Sequence, residues 1–276
     1  MTGQPSESGG VISSRANPRI ARLRALRRRA DREQSGLFLA EGIQLSIAAI
    51  EAGIEVEEVI VAPSRLRSDA GWATVEAARR AGRSVVQVTP DIFESFSSRE
   101  NPSGLAVVGR QRWSSLGERW ATEGLCSVAL EGVQDPGNLG TILRTMDAVG
   151  AAGLVLIGET TDPYDPSALR ASTGALFWRP LARASLAELD AWKRANGVTV
   201  VGTSDAGAVD YRSRVYRRPM LVLLGSEQHG LSAAGLALCD SVVSVPMAGR
   251  CDSLNLSVAA AVVLYQAFDQ VGRGPA

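Results

Sequence analysis

The chain has 276 residues, 45% of them hydrophobic, and its 29 Lys and Arg balance 29 Asp and Glu to a formal net charge of zero. That length suffices for one large domain or two ordinary ones, with a core that needs neither disulfide nor metal. No apolar run approaches the roughly 20 residues of a membrane span, the polar start Met1 to Gly10 lacks the apolar stretch of a signal peptide, and Cys126, Cys239 and Cys251 lie too far apart for a disulfide framework or a zinc site, so a soluble, cytoplasmic chain without metal is expected.

Residues 1–14 are Gly, Ser and polar, and are expected to form a disordered tail. Within residues 15–32, Arg15, Arg19, Arg22, Arg24, Arg27, Arg28, Arg29 and Arg32 face only Asp31, so the remainder of the chain is net acidic by the same amount. Spacings of three and four among these arginines, with Ile20, Leu23 and Leu26 on another side, predict a basic amphipathic helix. Guanidinium forks suit phosphate oxygens, which makes Arg22, Arg27, Arg28 and Arg29 candidate phosphate contacts; a solvated face is the alternative.

From Gly36 the pattern predicts strand 37–40, helix 42–52, strand 56–62, helix 72–81, strand 84–88, helix 90–96 and strand 105–108, the alternation of a compact α/β module spanning 15–110. Residues 111–123 carry Trp113 and Trp120 among polar neighbours with little periodicity and read as a linker. A second domain over 124–272 follows: strand 127–131, helix 138–149, strand 154–157, helix 166–176, helix 186–195, strand 198–203, strand 220–224, helix 231–239, strand 242–245 and a last helix 254–270. These strands are continuous apolar runs, the mark of a parallel sheet covered on both faces. Ligands of such sheets bind beyond the carboxyl ends of the strands.

Three polar segments follow strands of that sheet: Asn138-Leu-Gly-Thr-Ile-Leu-Arg144, Gly225-Ser-Glu227-Gln-His229-Gly, and Ser253-Leu-Asn255-Leu-Ser257. Neither the Gly-x-Gly-x-x-Gly turn nor Gly-x-x-x-x-Gly-Lys-Ser/Thr is present, so the sheet must hold a ligand some other way. Each residue also has an ordinary role available. Asn138, Ser253 and Asn255 suit helix caps, Arg144 an exposed helix position, Glu227 a solvated turn, and Gly225, Val245 and Leu254 a strand-end turn and two core sites. His229 is the chain's single histidine and has near-neutral proton affinity, yet Gln228-His229-Gly230 reads as a variable turn rather than a base.

In this order the three segments resemble the signature motifs of the SpoU family, the S-adenosylmethionine-dependent RNA ribose 2′-O-methyltransferases of the SPOUT superfamily. The resemblance implies an α/β catalytic domain whose C-terminal parallel sheet carries a deep trefoil knot, a homodimer, an alanine-rich 258–263 stretch that packs closely in the dimer interface or the knot's core, no metal and no DNA partner. It implies mostly main-chain cofactor contacts at Gly225, Val245 and Leu254, with Thr203, Glu227 and Met247 as neighbours. It gives Arg144 the lead catalytic role, with Asn138, Glu227, Ser253 and Asn255 orienting it or the reacting nucleotide. A guanidinium is effectively always protonated, so holding the ribose phosphate and stabilising a developing oxyanion are easier tasks than proton abstraction, which stays open.

Residues 15–110 resemble the smaller N-terminal α/β substrate-binding domain of such enzymes, itself similar to a ribosomal-protein RNA-binding fold, through Phe38-Leu-Ala-Glu41-Gly42 and Asn101-Pro-Ser-Gly-Leu-Ala106. That module implies 23S ribosomal RNA as substrate, with Arg22, Arg27, Arg28 and Arg29 as RNA contacts. Ribosome maturation and antibiotic resistance are both compatible with it. Transfer-RNA ribose methylation and a non-catalytic ribosome-assembly role are the alternatives.

Overall fold

Ile20, Leu23 and Leu26 decide where the arginine-rich segment packs, because all three are buried against Leu37, Leu39, Phe93 and Phe96. Asn17 starts the first helix, α1 (Pro18–Ala25), by accepting a hydrogen bond from Arg19 N, with Pro18 in the first turn where its missing N–H costs nothing. The computed structural model describes residues 10–205 and 209–272. In it the expected single basic helix is two, because α2 (Arg29–Ser35) begins only after a turn at 26–28. Arg32 accounts for the break: it is 1% exposed, and its guanidinium points inward to donate to Leu26 O and Arg27 O, both at 3.0 Å.

The first compact unit runs to Gln111 and includes Tyr164–Pro166. After α2 come β1 (Leu37–Glu41), α3 (Ile43–Glu51), β2 (Val56–Val61), α4 (Asp69–Arg80), β3 (Ser84–Gln87), α5 (Pro90–Phe96) and β4 (Leu105–Arg110). The sheet order is β1-β4-β2-β3, with β4 antiparallel to both neighbours and β2 parallel to β3. Residues 1–9 of the expected disordered tail lie outside the described residues, but the rest of it requires correction. Ile12 N donates to Gln87 O at 2.9 Å, Thr89 N donates to Ile12 O at 3.0 Å, and the Ile12 side chain packs on the core, so an apolar residue beside an open sheet edge orders residues 10–14.

The second unit begins at Arg112, which corrects the linker: α6 (Arg119–Thr122) lies inside the expected 111–123 stretch. Trp120 is 6% exposed, its carbonyl accepts a hydrogen bond from Ser127 Oγ at 2.7 Å, and its ring fills the space a Cβ on Gly153 would need. The chain continues through β5 (Ser127–Glu131), α7 (Pro136–Ala148), β6 (Leu154–Ile157), α8 (Pro166–Ser172), α9 (Ala175–Trp178), β7 (Leu181–Ala184), α10 (Leu186–Asn196), β8 (Thr199–Thr203), β9 (Val209–Asp210), β10 (Met220–Leu224), α11 (Ala233–Leu238), β11 (Ser241–Ser244) and α12 (Leu256–Ala267), closing with a π turn at Phe268–Gly272. The predicted helix 166–176 is divided by Thr173 and Gly174, both at positive φ.

The seven strands order as β7-β6-β5-β10-β8-β11-β9, and every pairing is parallel. Alternate residues Ala129, Val155, Val200, Leu221 and Leu223 pack with Trp120, Leu189 and Trp192 on one face. The intervening Val128, Leu130, Leu154, Val222 and Leu224 are buried as well, and α12 lies against α7 and β10, so the sheet is covered on both sides as its apolar runs require. No helix among the described residues is long and apolar enough to cross a membrane.

Candidate active site

The loop after β5 turns into α7 through Asp135-Pro136. Asp135 is extended and accepts from Asn138 N at 2.7 Å, so Asp135, not Asn138, is the N-cap, and Pro136 occupies the first helical position. This corrects the capping role expected of Asn138, and it frees that side chain. Asn138 Nδ2 donates to Glu227 Oε1 at 3.0 Å, and Asn138 Oδ1 accepts from Asn255 Nδ2 at 3.0 Å. Asn255 is the N-cap of α12, with its Oδ1 accepting from Ser257 N at 2.9 Å and Ser257 Oγ at 2.7 Å. One residue from each of the three segments is thus joined in a single chain of hydrogen bonds at the carboxyl rim of the sheet.

The resemblance gives Glu227 the task of holding Arg144 or a ribose; in the structure it holds the loop that starts α7. Its carboxylate takes three donors: Asn138 Nδ2, Asp135 N at 3.2 Å and Gln134 N at 3.2 Å. Partial burial pushes its carboxyl pKa up, but hydrogen bonds from the Asn138 side chain and from backbone amides outweigh burial and hold it below the ordinary carboxylate value. Gln134 in turn braces the loop by donating to Gly132 O at 3.0 Å and Glu159 O at 2.7 Å. Arg144 is exposed on α7, and its side chain makes no hydrogen bond or ion pair with another described residue. Ser253 is likewise exposed and outside the chain of bonds.

The helix carrying Arg144 is set closely against its neighbour: a Cβ on Gly140 would lie 2.6 Å from Ala171 Cβ and 2.9 Å from Ser172 N, within the segment Arg170-Ala-Ser172. Only a residue without a side chain lets α7 approach α8 this far.

The expected cofactor residues end adjacent strands. Leu223 of β10 pairs with Gly202 of β8, and Val243 of β11 pairs with Thr203, so Thr203, Gly225 and Val245 leave the sheet within two residues of a common level. Gly225 has a demanding structural role of its own. Ser226 and Gly230 exchange N–H···O bonds of 3.0 Å in both directions, and a Cβ on Gly225 would lie inside the contact distance of Gly230 C and O and Leu231 N. His229 belongs to this turn, its N donating to Ser226 Oγ at 3.1 Å.

Beyond β11 the segment 245–254 contains Met247, which is exposed, and Val245 and Leu254, which are half-buried. Among the described residues no backbone hydrogen bond is formed by 245–254, so its peptide donors and acceptors face outward for solvent or a ligand. Two of the three thiols are poor nucleophiles, because burial pushes Cys126 up to about 12 and Cys239 up to about 11; Cys251 is exposed. No group of three or more His, Cys, Asp or Glu among the described residues suits a metal ion.

In the first unit, the arginine run is less isolated than its sequence neighbours suggest. Glu57 of β2 pairs with Arg22, Glu58 lies 3.5 Å from Arg19, Asp31 pairs with Arg28 at 2.6 Å, and Glu33 pairs with Arg29 at 2.9 Å. Arg27 is exposed and its side chain has no partner among the described residues. The pairs of Arg28 and Arg29 are solvent-exposed and worth at most about 1 kcal/mol, so they exchange readily for a phosphate.

Sequence reasoning missed Asp135 and Gln134, and it marked Ser257 as a polar residue of the third segment without assigning it a role. Asp135-Pro136 is a helix-start signal that locates the cap correctly; the partner of Ser257 is set only when α12 forms.

Residues 126–265 match the SpoU rRNA Methylase family, and residues 17–107 match the MRM3-like substrate binding domain. Over 97% of its length the chain is 34% identical to the 23S rRNA (uridine(2479)-2′-O)-methyltransferase of Streptomyces viridochromogenes, covering 95% of that protein. It is 29% identical to the 23S rRNA (guanosine(2553)-2′-O)-methyltransferase RlmP of Bacillus subtilis (strain 168), covering 92% of this chain and 97% of RlmP. Among solved structures, the AdoMet-bound rRNA methyltransferase from Sinorhizobium meliloti aligns with a TM-score of 0.84 at 37% identity, covering 94% of this chain and 97% of that one.

Proposed function

The chain belongs to the SpoU rRNA methylase family, and from that premise we propose that it transfers a methyl group from S-adenosylmethionine to the ribose 2′-hydroxyl of one nucleotide in 23S ribosomal RNA. One observation carries this: Glu227, Asn138 and Asn255, drawn from three separate segments, bond to one another at the carboxyl ends of a parallel sheet. The two curated relatives are named for 23S rRNA, one for a uridine and one for a guanosine, so likeness to them does not fix a target base.

The cofactor suits this rim. Unpaired peptide groups over 245–254 offer the donors and acceptors that a ligand gripped by main chain requires, beside the apolar Val245, Met247 and Leu254. Thr203, Gly225, Val245, Met247 and Leu254 would hold it, and when bound it supplies an electrophilic methyl on a sulfonium. Arg144 brings a permanent positive charge with no competing partner among the described residues, suited to an RNA phosphate and to negative charge developing on the 2′-oxygen. Glu227 is poorly placed to act as a base, because three donors already occupy its oxygens; it serves to hold the α7 loop. Ser253, exposed beside Asn255, remains available to the reacting nucleotide.

We assign the first unit the substrate-binding role and the second the catalytic role, in line with the two matched domains. A trefoil knot is what the family resemblance implies, and the path of the chain agrees with it in that after β11 the chain returns to pack α12 on α7 and β10. A homodimer is supported by α12 itself, which has no charged residue and leaves Val258 47% and Tyr265 51% exposed.

The test is methyl transfer from labelled S-adenosylmethionine to protein-free 23S RNA and to large subunits, with mapping of the 2′-O-methyl stop. One labelled ribose is expected; no transfer to either substrate overturns the proposal. For the N-terminal unit, replacing Arg27, Arg28 and Arg29 together with Gln is expected to weaken RNA binding and to flatten its dependence on log salt by about 0.7–0.9 for each phosphate no longer neutralised. Unchanged affinity and slope would make this a solvated face.

A further inference from the structure

The bond chain at the rim has a direction, and the direction originates at Ser257, a residue of the third segment with no role assigned so far. Asn255 Oδ1 faces Ser257 N, which can only donate, and Ser257 Oγ approaches the same oxygen at 2.7 Å. With its oxygen committed to two donors, Asn255 must turn Nδ2 toward Asn138. Asn138 must then present Oδ1 to it, and only Nδ2 is left for Glu227. Each link thus dictates the next. If either amide flipped, an N–H would face an N–H, or a carbonyl oxygen would face the carboxylate, and a bond at this exposed rim would become a repulsion.

We propose that Ser257 is a positioning residue for methyl transfer, setting a one-way series of donors from Ser257 to Asn255 to Asn138 to Glu227 that fixes the three segments of the site against one another. Ser257 is buried at the second position of α12, too early in the helix for its hydroxyl to bond back to a carbonyl of a preceding helical turn. It is directed at the N-cap side chain. The backbone N–H of Ser257 alone caps the helix; the hydroxyl supplies the second donor that holds the Asn255 oxygen against rotation. The inference rests on the methyltransferase assignment only for its kinetic consequence, since the orientation of the amides belongs to the protein by itself.

The experiment uses the full chain with Ser257→Ala and Ser257→Thr. In the protein without RNA or cofactor, 15N NMR of the side-chain amides is expected to show Asn138 exchanging with water several-fold faster in S257A than in the parent, and at the parental rate in S257T. With 23S RNA, S257A is expected to lower kcat about tenfold with KM and S-adenosylmethionine affinity within twofold, and S257T to recover most of the loss. Parental exchange and kcat in S257A overturn the proposal. Equal losses in S257A and S257T, tracking a lowered melting temperature, overturn it too, because the hydroxyl would then matter only for packing. If the parent protein transfers no methyl yet S257A speeds Asn138 exchange, the methyltransferase assignment fails while the one-way series stands.

Discussion

Replacing Arg144 with Ala is expected to lower methyl transfer by about a thousandfold while leaving S-adenosylmethionine affinity within a few fold. The separation follows from position. Arg144 lies on the exposed face of α7, whereas Thr203, Gly225 and Val245 end the β8, β10 and β11 strands. No carboxylate among the described residues neutralises the guanidinium, so its charge is available to RNA at full strength. Loss of one preorganised oxyanion donor costs about 10²–10³ in rate, and a phosphate left without its guanidinium adds to that. Arg144→Lys keeps the charge without the bidentate fork and is expected to fall between the parent and Ala. Single-turnover kinetics with 23S RNA and calorimetric titration of the cofactor give the two numbers. Full activity in the Ala variant would remove Arg144 from the catalytic machinery.

The order of the three segments and the all-parallel sheet were legible because the strands at 127–131, 154–157 and 220–224 are uniformly apolar and end in glycines or polar turns, and their observed limits match. The α5 helix was marked equally well by Thr89-Pro90 at its start. Contacts distant in sequence were not legible. Asn138 meets Glu227 across 89 residues and Asn255 across 117, so no local pattern could tell that Asn138 bridges two motifs rather than capping a helix. The same holds for Glu57 and Glu58, which reach the arginine helix only because β2 lies beside it. Trp120 looked like a linker residue because its four-residue helix is too short for periodicity, although Gly153 had left room for its ring. Arg32 counted toward the arginine cluster by its place in the sequence, yet it turns inward to end one helix and begin another.

Adding a single methyl at Gly225 is expected to damage stability and cofactor binding together. Every atom it would strike is backbone: the carbonyl of Gly230 and the amide of Leu231. Side-chain rotation cannot relieve such a contact, so the Ser226 to Gly230 turn must open. Overpacking costs about 1–3 kcal/mol when side chains can adjust, and a backbone obstruction belongs at the upper end, about 3 kcal/mol. Opening the turn moves Glu227, which rides on it, away from Gln134, Asp135 and Asn138. It also displaces Leu231 from the core it shares with Trp192 and Leu223. Gly202→Ala is the matched control on the neighbouring strand. Its Cβ would meet Cys239 Sγ at 2.5 Å and Leu231 Cδ1 at 3.0 Å, both side-chain atoms able to shift, so its loss is expected to be smaller. Denaturant midpoints measure the first effect, and S-adenosylmethionine titration well below the melting transition measures the second, where at least a tenfold loss is expected for Gly225→Ala. A lowered midpoint with parental cofactor affinity would confine Gly225 to the turn and take it out of the cofactor rim; an unchanged midpoint would mean that the turn yields without cost, contrary to the doubled Ser226–Gly230 bond.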